Sequence, residues 1–124
     1  MKTTNRISLD YDHKWLDLYS IGFSFVYLSL FHKWKQVTIY KSPSGKGWHV
    51  IFQLVNQISL KKQLEIRKML GDCAYRLKYS KKDLKNGYNS DVLFTHKKVD
   101  GKWVKEEKVL DLRVSNNGFN SRCL

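Results

Sequence analysis

The sequence predicts an α+β fold, an antiparallel sheet laid out β-α-β-β-α-β with two helices on one face and a C-terminal hairpin extension. Three observations carry this. Apolar residues switch along the chain between a period of two and a period of three to four. Glycine-bearing turns at Ser42–Gly47 and Asp100-Gly101 punctuate the alternating stretches. The chain has 124 residues, 42% of them hydrophobic, which is enough for one core and not two, so residues 1–124 read as a single domain.

Ile7–Tyr11 reads as a strand, with Ile7, Leu9 and Tyr11 on one face and Ser8, Asp10 and Asp12 on the other. Trp15–Trp34 reads as a helix that starts near Asp12 or His13, because Leu16, Tyr19, Phe23, Tyr27 and Leu30 recur three to four apart. Its aromatic and β-branched content and Gly22 would also suit a strand; the uninterrupted length decides for the helix. Gln36–Lys41 is the next strand and Ser42–Gly47 the turn. Trp48–Val55 returns, with Trp48, Val50, Phe52 and Leu54 on one face and His49, Ile51, Gln53 and Val55 on the other. Ser59 is an N-cap for a second helix, carried by Leu60, Leu64, Ile66, Arg67 and Leu70 and stopped at Gly71.

Asp91–Lys98 and Trp103–Leu110 are strands joined by Asp100-Gly101, a strong hairpin signal. Residues 112–124, with the cluster Asn116-Asn117-Gly118, read as a loose tail. Assembled in the ferredoxin-like or RRM-like manner, this order sets the first and third strands side by side at the sheet centre. The helices then cover one face and leave the other available. Asp10 and Asp12 arrive on that open face beside His49.

Lys and Arg number 23 against 11 Asp and Glu, a formal charge of +12. Such a surplus attracts phosphate-bearing partners and makes their binding salt-dependent. The lysines are spread among turns and strand ends, which disfavours a membrane partner. Ile21–Phe31 is too short and too closely flanked by charge to span a bilayer, and the N-terminus lacks the apolar run of a signal peptide. Cys73 and Cys123 show no CxxC spacing and no zinc pattern, so a reducing, cytoplasmic setting is expected.

Two carboxylates on one side of a strand repel each other unless a cation or proton intervenes, which makes Asp10 and Asp12 candidate ligands for Mg²⁺ or Mn²⁺. The same residues could instead cap the following helix. His49 is a candidate contact to a nucleotide phosphate or to a metal-bound group; the alternative is a half-buried structural histidine. Lys41, Ser42, Ser44 and Lys46 offer hydroxyls and ammonium groups to phosphate oxygens, although the Walker A spacing is absent and the glycines could serve the turn alone. Arg76 is a further phosphate candidate, with local pairing to Asp72 as the alternative. Lys78, Lys81, Lys82 and Lys85, interleaved with Tyr75, Tyr79 and Tyr88, form a candidate track for unpaired bases, and Lys97 adds a less specific basic contact.

These residues resemble the motifs of the archaeo-eukaryotic primase superfamily, in particular the small primase-like palm domains of mobile elements and viruses. Leu9-Asp10-Tyr11-Asp12 is similar to its acidic strand motif, and Ser42-Pro43-Ser44-Gly45-Lys46-Gly47-Trp48-His49 to its serine-to-histidine nucleotide-binding motif. Leu70-Gly71-Asp72 with Tyr75-Arg76, and Val92-Leu93-Phe94, look like its following segments. The resemblance implies an RRM-like palm in which Asp10 and Asp12 bind metal and His49 meets an incoming nucleoside triphosphate. It also implies a setting in DNA replication, with single-stranded DNA and a helicase or other replication protein as partners, in the cytoplasm of a virus-infected cell. The chain departs from the family in its third acid, where Thr95 stands, and in Cys73 after Gly-Asp.

Three functions follow. A nucleic-acid-binding protein on a catalytically degenerate palm fits the incomplete acidic set. A minimal metal-dependent nucleotidyltransferase on single-stranded template is the alternative. A metal-dependent nuclease or replication initiator is a third, weakened by the lack of a paired-histidine motif.

Overall fold

In the computed structural model the described residues are 2–12, 17–43, 45–86, 96–115 and 118–123. The elements run β1 (Thr3–Tyr11), α1 (Asp17–Phe31), β2 (Trp34–Lys41), β3 (Trp48–Ser59), α2 (Leu60–Met69) and α3 (Ala74–Lys85). They continue as β4 (His96–Val99), β5 (Lys102–Lys105), β6 (Glu107–Ser115) and β7 (Gly118–Cys123). The result is a mixed α+β fold. Its main sheet is antiparallel in the order β1-β3-β2-β6-β7, and β4-β5 is a separate two-stranded ribbon.

The period-two alternation does what it predicted for the first three strands. Ile7, Leu9 and Tyr11 pair across to Phe52, Val50 and Trp48 of β3, and Val37 and Ile39 of β2 face Phe52 and Val50 from the other side. Ile7, Leu9, Tyr11, Val37, Val50, Phe52 and Leu54 are buried together with Leu28 of α1 and Ile66 and Leu70 of α2. The Phe25 ring meets Phe52 edge-on at 5.3 Å between centroids. Each such side chain contributes roughly 1.5–3 kcal/mol by leaving water.

Local chemistry sets the ends of α2. The Ser59 hydroxyl accepts the Lys62 N–H at 3.1 Å and caps the start. At the other end Gly71 takes φ +82, its N–H bonds Lys68 O, and the Asp72 N–H bonds Arg67 O. This is a Schellman ending, which needs a residue free of Cβ strain at Gly71. It delivers Asp72 to the edge of the sheet.

Four expectations change. β1 lies at the sheet edge beside β3 rather than at its centre, because the fourth strand of the sheet, β6, joins β2 instead. Arg76–Lys85, read only as a basic run, is the third helix α3, whose inner residues Arg76, Leu77 and Ser80 are sheltered while Lys78, Tyr79 and Lys82 are exposed. The strand expected over Trp103–Leu110 breaks at Glu106 into β5 and β6; neither alternating face of that stretch is apolar throughout, so nothing holds it in one plane. Of residues 112–124, expected as a loose tail, 112–115 complete β6 and Gly118–Cys123 form the edge strand β7, with Leu110 opposite Cys123 and Ser115 opposite Gly118; residues 116, 117 and 124 lie outside the described residues. The Asp100-Gly101 hairpin stands: Val99 pairs with Lys102 across a two-residue turn in which both central φ values are positive, 51 and 79. Of the strand expected over Asp91–Lys98, residues 91–95 lie outside the described residues.

Candidate functional site

The register that aligns the core also aligns the polar face. Asp10 of β1 stands directly opposite His49 of β3, which stands opposite Tyr40 of β2, itself opposite Lys108 of β6. Asp10 and His49, far apart in sequence, are therefore brought together as the sequence predicted. His49 Nε2 lies 3.7 Å from Asp10 Oδ1. On the other side of the ring Nδ1 lies 2.7 Å from Glu106 Oε2, and both side chains are buried. The imidazole is thus held between two carboxylates. Nδ1 faces Glu106 and Nε2 faces Asp10, so each ring nitrogen has a carboxylate beside it.

Glu106 was missed by sequence reasoning. Its signal was present in Lys105-Glu106-Glu107-Lys108, two acids in a basic stretch at the point where the strand alternation fails. Burial raises the Asp10 carboxyl above its ordinary pKa; the charges of His49 and Arg76 pull it down, and those of Asp72 and Asp12 push it up. Asp12, just past the end of β1, is exposed. Among the described residues no three His, Cys, Asp or Glu side chains are grouped so as to hold a metal ion. The His49 ring separates Glu106 from Asp10, so their oxygens do not converge on one point.

The Ser42–Gly47 loop folds back on itself. The Ser42 N–H bonds Gly47 O at 2.9 Å, the Ser42 hydroxyl accepts the Gly47 N–H at 3.1 Å, and Gly45, at φ +73, donates to Ser42 O. Gly47 presses on the β1 end: a Cβ there would strike the Tyr11 carbonyl and come within 3.1 Å of the Asp12 Cα. That packing pins the loop beside Asp12 and places the exposed Lys41 and Lys46 near the acidic end of β1. Ser44 lies outside the described residues.

Arg76 makes the local pairing with Asp72, the alternative to a phosphate contact. Its guanidinium bonds Asp72 at 2.6 and 2.7 Å, the Ser8 hydroxyl at 2.7 Å and the Ser8 carbonyl at 3.2 Å. The Asp72 side chain is fully buried. It also accepts Arg67 Nε–H, the Asp10 N–H and the Cys73 N–H, each at 2.8 Å. Gln63 Nε2 donates to the Arg6 carbonyl at 2.7 Å. The outward backbone groups of Arg6, Ser8 and Asp10 are therefore satisfied by side chains of α2, α3 and the link between them. This is how an edge strand avoids exposing its unpaired ladder.

The polar sheet face is less open than expected. Ser8, Thr38, His49 and Asp111 are buried, and Tyr40 is half-buried with Lys108 Nζ 5.8 Å from its ring centre. Asp111, on the same face, accepts from Gln36 and Arg113; burial would raise its pKa, but those hydrogen bonds together with the charges of Arg113 and Lys108 outweigh it and hold the carboxyl low.

The basic candidates lie beside this site. Helical spacing puts Tyr75, Lys78, Tyr79 and Lys82 on one outward face of α3, with Lys81 and Lys85 flanking, all exposed. Lys97 lies on β4 opposite Val104. Arg76, on the first turn of α3, is close enough to Asp10 to lower its pKa, so the helix starts next to the Asp10–His49 pair. Among the described residues no helix is long and apolar enough to cross a membrane. No protein-family model, curated protein or solved structure matches the chain.

Proposed function

We propose that the chain is a nucleic-acid-binding protein, on a primase-like palm altered so that its first strand lies at the sheet edge, that takes single-stranded DNA along α3 toward the Asp10–His49 pair. The supporting observation is the outward face of α3. Tyr75 and Tyr79, 76% and 64% exposed, alternate with Lys78 and Lys82 over two turns. Aromatics as exposed as these suit stacking on unpaired bases, and the lysines between them suit the phosphate backbone. The formal charge of +12 adds long-range attraction.

Fluorescence anisotropy with labelled single-stranded oligonucleotides, repeated across a salt series, tests this. Tyr79→Ala is expected to weaken binding by about 1–3 kcal/mol, the worth of one stacked base. Lys78→Ala with Lys82→Ala should lower the salt slope by about 2, one for each phosphate left without its lysine. Binding that does not respond to salt, or that survives all three substitutions unchanged, removes the reading.

A second reading, metal-dependent nucleotidyl transfer, is favoured by one distance. At 3.7 Å, Asp10 Oδ1 and His49 Nε2 are too far apart for a hydrogen bond. The two facing atoms could share a divalent ion if the pair closed around it. Asp10 and His49 would hold Mg²⁺ or Mn²⁺, Asp12 would add charge from the strand end, and Glu106 would fix the imidazole tautomer. Few protein ligands suffice for Mg²⁺ when substrate phosphates complete its coordination. Such an ion neutralises charge on a triphosphate and activates an attacking oxygen. Calorimetric titration with Mn²⁺ tests the site: binding lost in Asp10→Asn supports it, and equal binding by that variant rejects it.

A further inference from the structure

We propose that two copies of this chain pair through the outward faces of α1, packed antiparallel about a two-fold axis. The observation is a seam. Tyr19, Phe23, Val26 and Leu30 are 73%, 53%, 58% and 73% exposed, and they recur at spacings of four, three and four. This is the spacing at which side chains of one helix insert as knobs between those of another. The inner side of the same helix already supplies Leu28 and Phe25 to the core. α1 is therefore apolar around its circumference, a composition that belongs to a helix covered on both sides.

The size of the patch points the same way. With Leu18 and Phe31, exposed on either flank of the helix, the whole outward surface of α1 presents on the order of 800 Å² of apolar side chain, given that one aromatic side chain alone presents about 150–250 Å². The largest apolar patch on a monomer is about 300–600 Å². One half of a standard protein interface is about 800 Å².

The chemistry of the face selects a second copy as the occupant. Asp17–Phe31 contains no Lys or Arg, and its one acid, Asp17, is buried. An anionic membrane would be met by basic residues along the polar side of such a helix, and an acidic partner would need cations to recognise. An uncharged apolar seam is complementary to itself, as a two-fold interface requires. Gly22 sits among the seam residues, and open space stands where its Cβ would be, so two helices can approach closely there. In the antiparallel arrangement the Tyr19 end of one α1 lies over the Leu30 end of the other. There a cleft of about 370 Å³, lined by Leu30, Phe31 and Ile58 and by the polar His32, Lys33 and Asn56, has room for the ring and hydroxyl of a tyrosine. The basic face of α3 is on a different helix and stays free for nucleic acid.

Sedimentation velocity of the full chain, from about 1 to 100 µM at low and high salt, tests the pairing in the micromolar range where weak dimers of this area fall. The wild type is expected to dimerise, and more tightly at high salt, because screening relieves repulsion between two chains of charge +12. This salt response is opposite in sign to that of nucleic-acid binding, so the two proposals fail separately. Phe23→Glu and, from the other end of the seam, Leu30→Glu should each weaken the dimer by roughly 100-fold or more, since each buries an unpaired charge. Circular dichroism melts of both should match the wild type at concentrations where it is monomeric, as both positions face water in the monomer. A wild type that stays monomeric at 100 µM in high salt overturns the proposal. So does a dimer unaffected by both substitutions. A monomer that co-sediments with phosphatidylcholine–phosphatidylglycerol vesicles and loses this with Phe23→Glu assigns the face to lipid and overturns it as well.

Discussion

Replacing Asp72 by Asn should destabilise the corner where α2, α3 and β1 meet while leaving the number of heavy atoms unchanged. The Asp72 carboxylate accepts from Arg67 Nε, Arg76 Nη1 and the N–H groups of Asp10 and Cys73, at 2.6–2.8 Å. An amide keeps one acceptor oxygen, enough for the two backbone donors. Its NH₂ then faces guanidinium donors, and Arg67, 1% exposed, keeps a charge with no carboxylate beside it. Breaking one side of a buried pair costs about 3–5 kcal/mol. Against a total stability of about 5–15 kcal/mol for a domain, that is a large share. With a urea slope of about 1–3 kcal/mol/M, the unfolding midpoint should fall by roughly 2 M. The assay is urea unfolding followed by far-ultraviolet circular dichroism, with Arg67→Met as the second arm of a cycle. Because Arg67→Met removes the stranded charge, the double variant should be less destabilised than the two single losses added, by roughly 1–3 kcal/mol. A loss below about 1 kcal/mol in Asp72→Asn, or strict additivity with Arg67→Met, would refute the view of this cluster as a coupled, desolvated hub.

Three further outcomes are expected. Gly47→Ala should cost about 1–3 kcal/mol, because its methyl must displace the backbone of Tyr11 and Asp12; a thermal melt equal to wild type would show that the loop has room to give. Ser59→Ala should cost about 1 kcal/mol through loss of the cap on Lys62 N–H, measured in the same urea series, where Ser59→Asp should restore it. Asp10 is a pH probe: its folded carboxyl binds a proton more tightly than the ordinary value of 3.8 implies, owing first to burial. The stability it contributes is complete below that value and is lost as pH rises through the higher folded value. Asp10→Asn, melted in the presence of a chelator, should therefore exceed the wild type in stability at pH 7 and match it near pH 3. A variant less stable than wild type at pH 7 contradicts the sign.

Pattern alone determined much of this protein. Alternation in Ile7–Tyr11 and Trp48–Val55 placed Asp10 and His49 on the polar side of neighbouring strands, because the period of a strand leaves a side chain only two faces. Ser59, Gly71 and Asp100-Gly101 marked a cap, a stop and a hairpin through chemistry confined to a few adjacent residues. Tertiary structure alone decided which strand lies at the edge, since β6 could add beside β1 or beside β2 with equal local propriety. It chose β2. With β1 left at the edge, its outward backbone groups needed donors and acceptors, and Gln63, Asp72 and Arg76 supply them. Glu106 likewise meets His49 only because β5 and β6 part company at that residue. A hydrogen bond between positions 57 residues apart leaves no trace in local propensity, because it is fixed by where two elements come to rest and not by what either of them is made of.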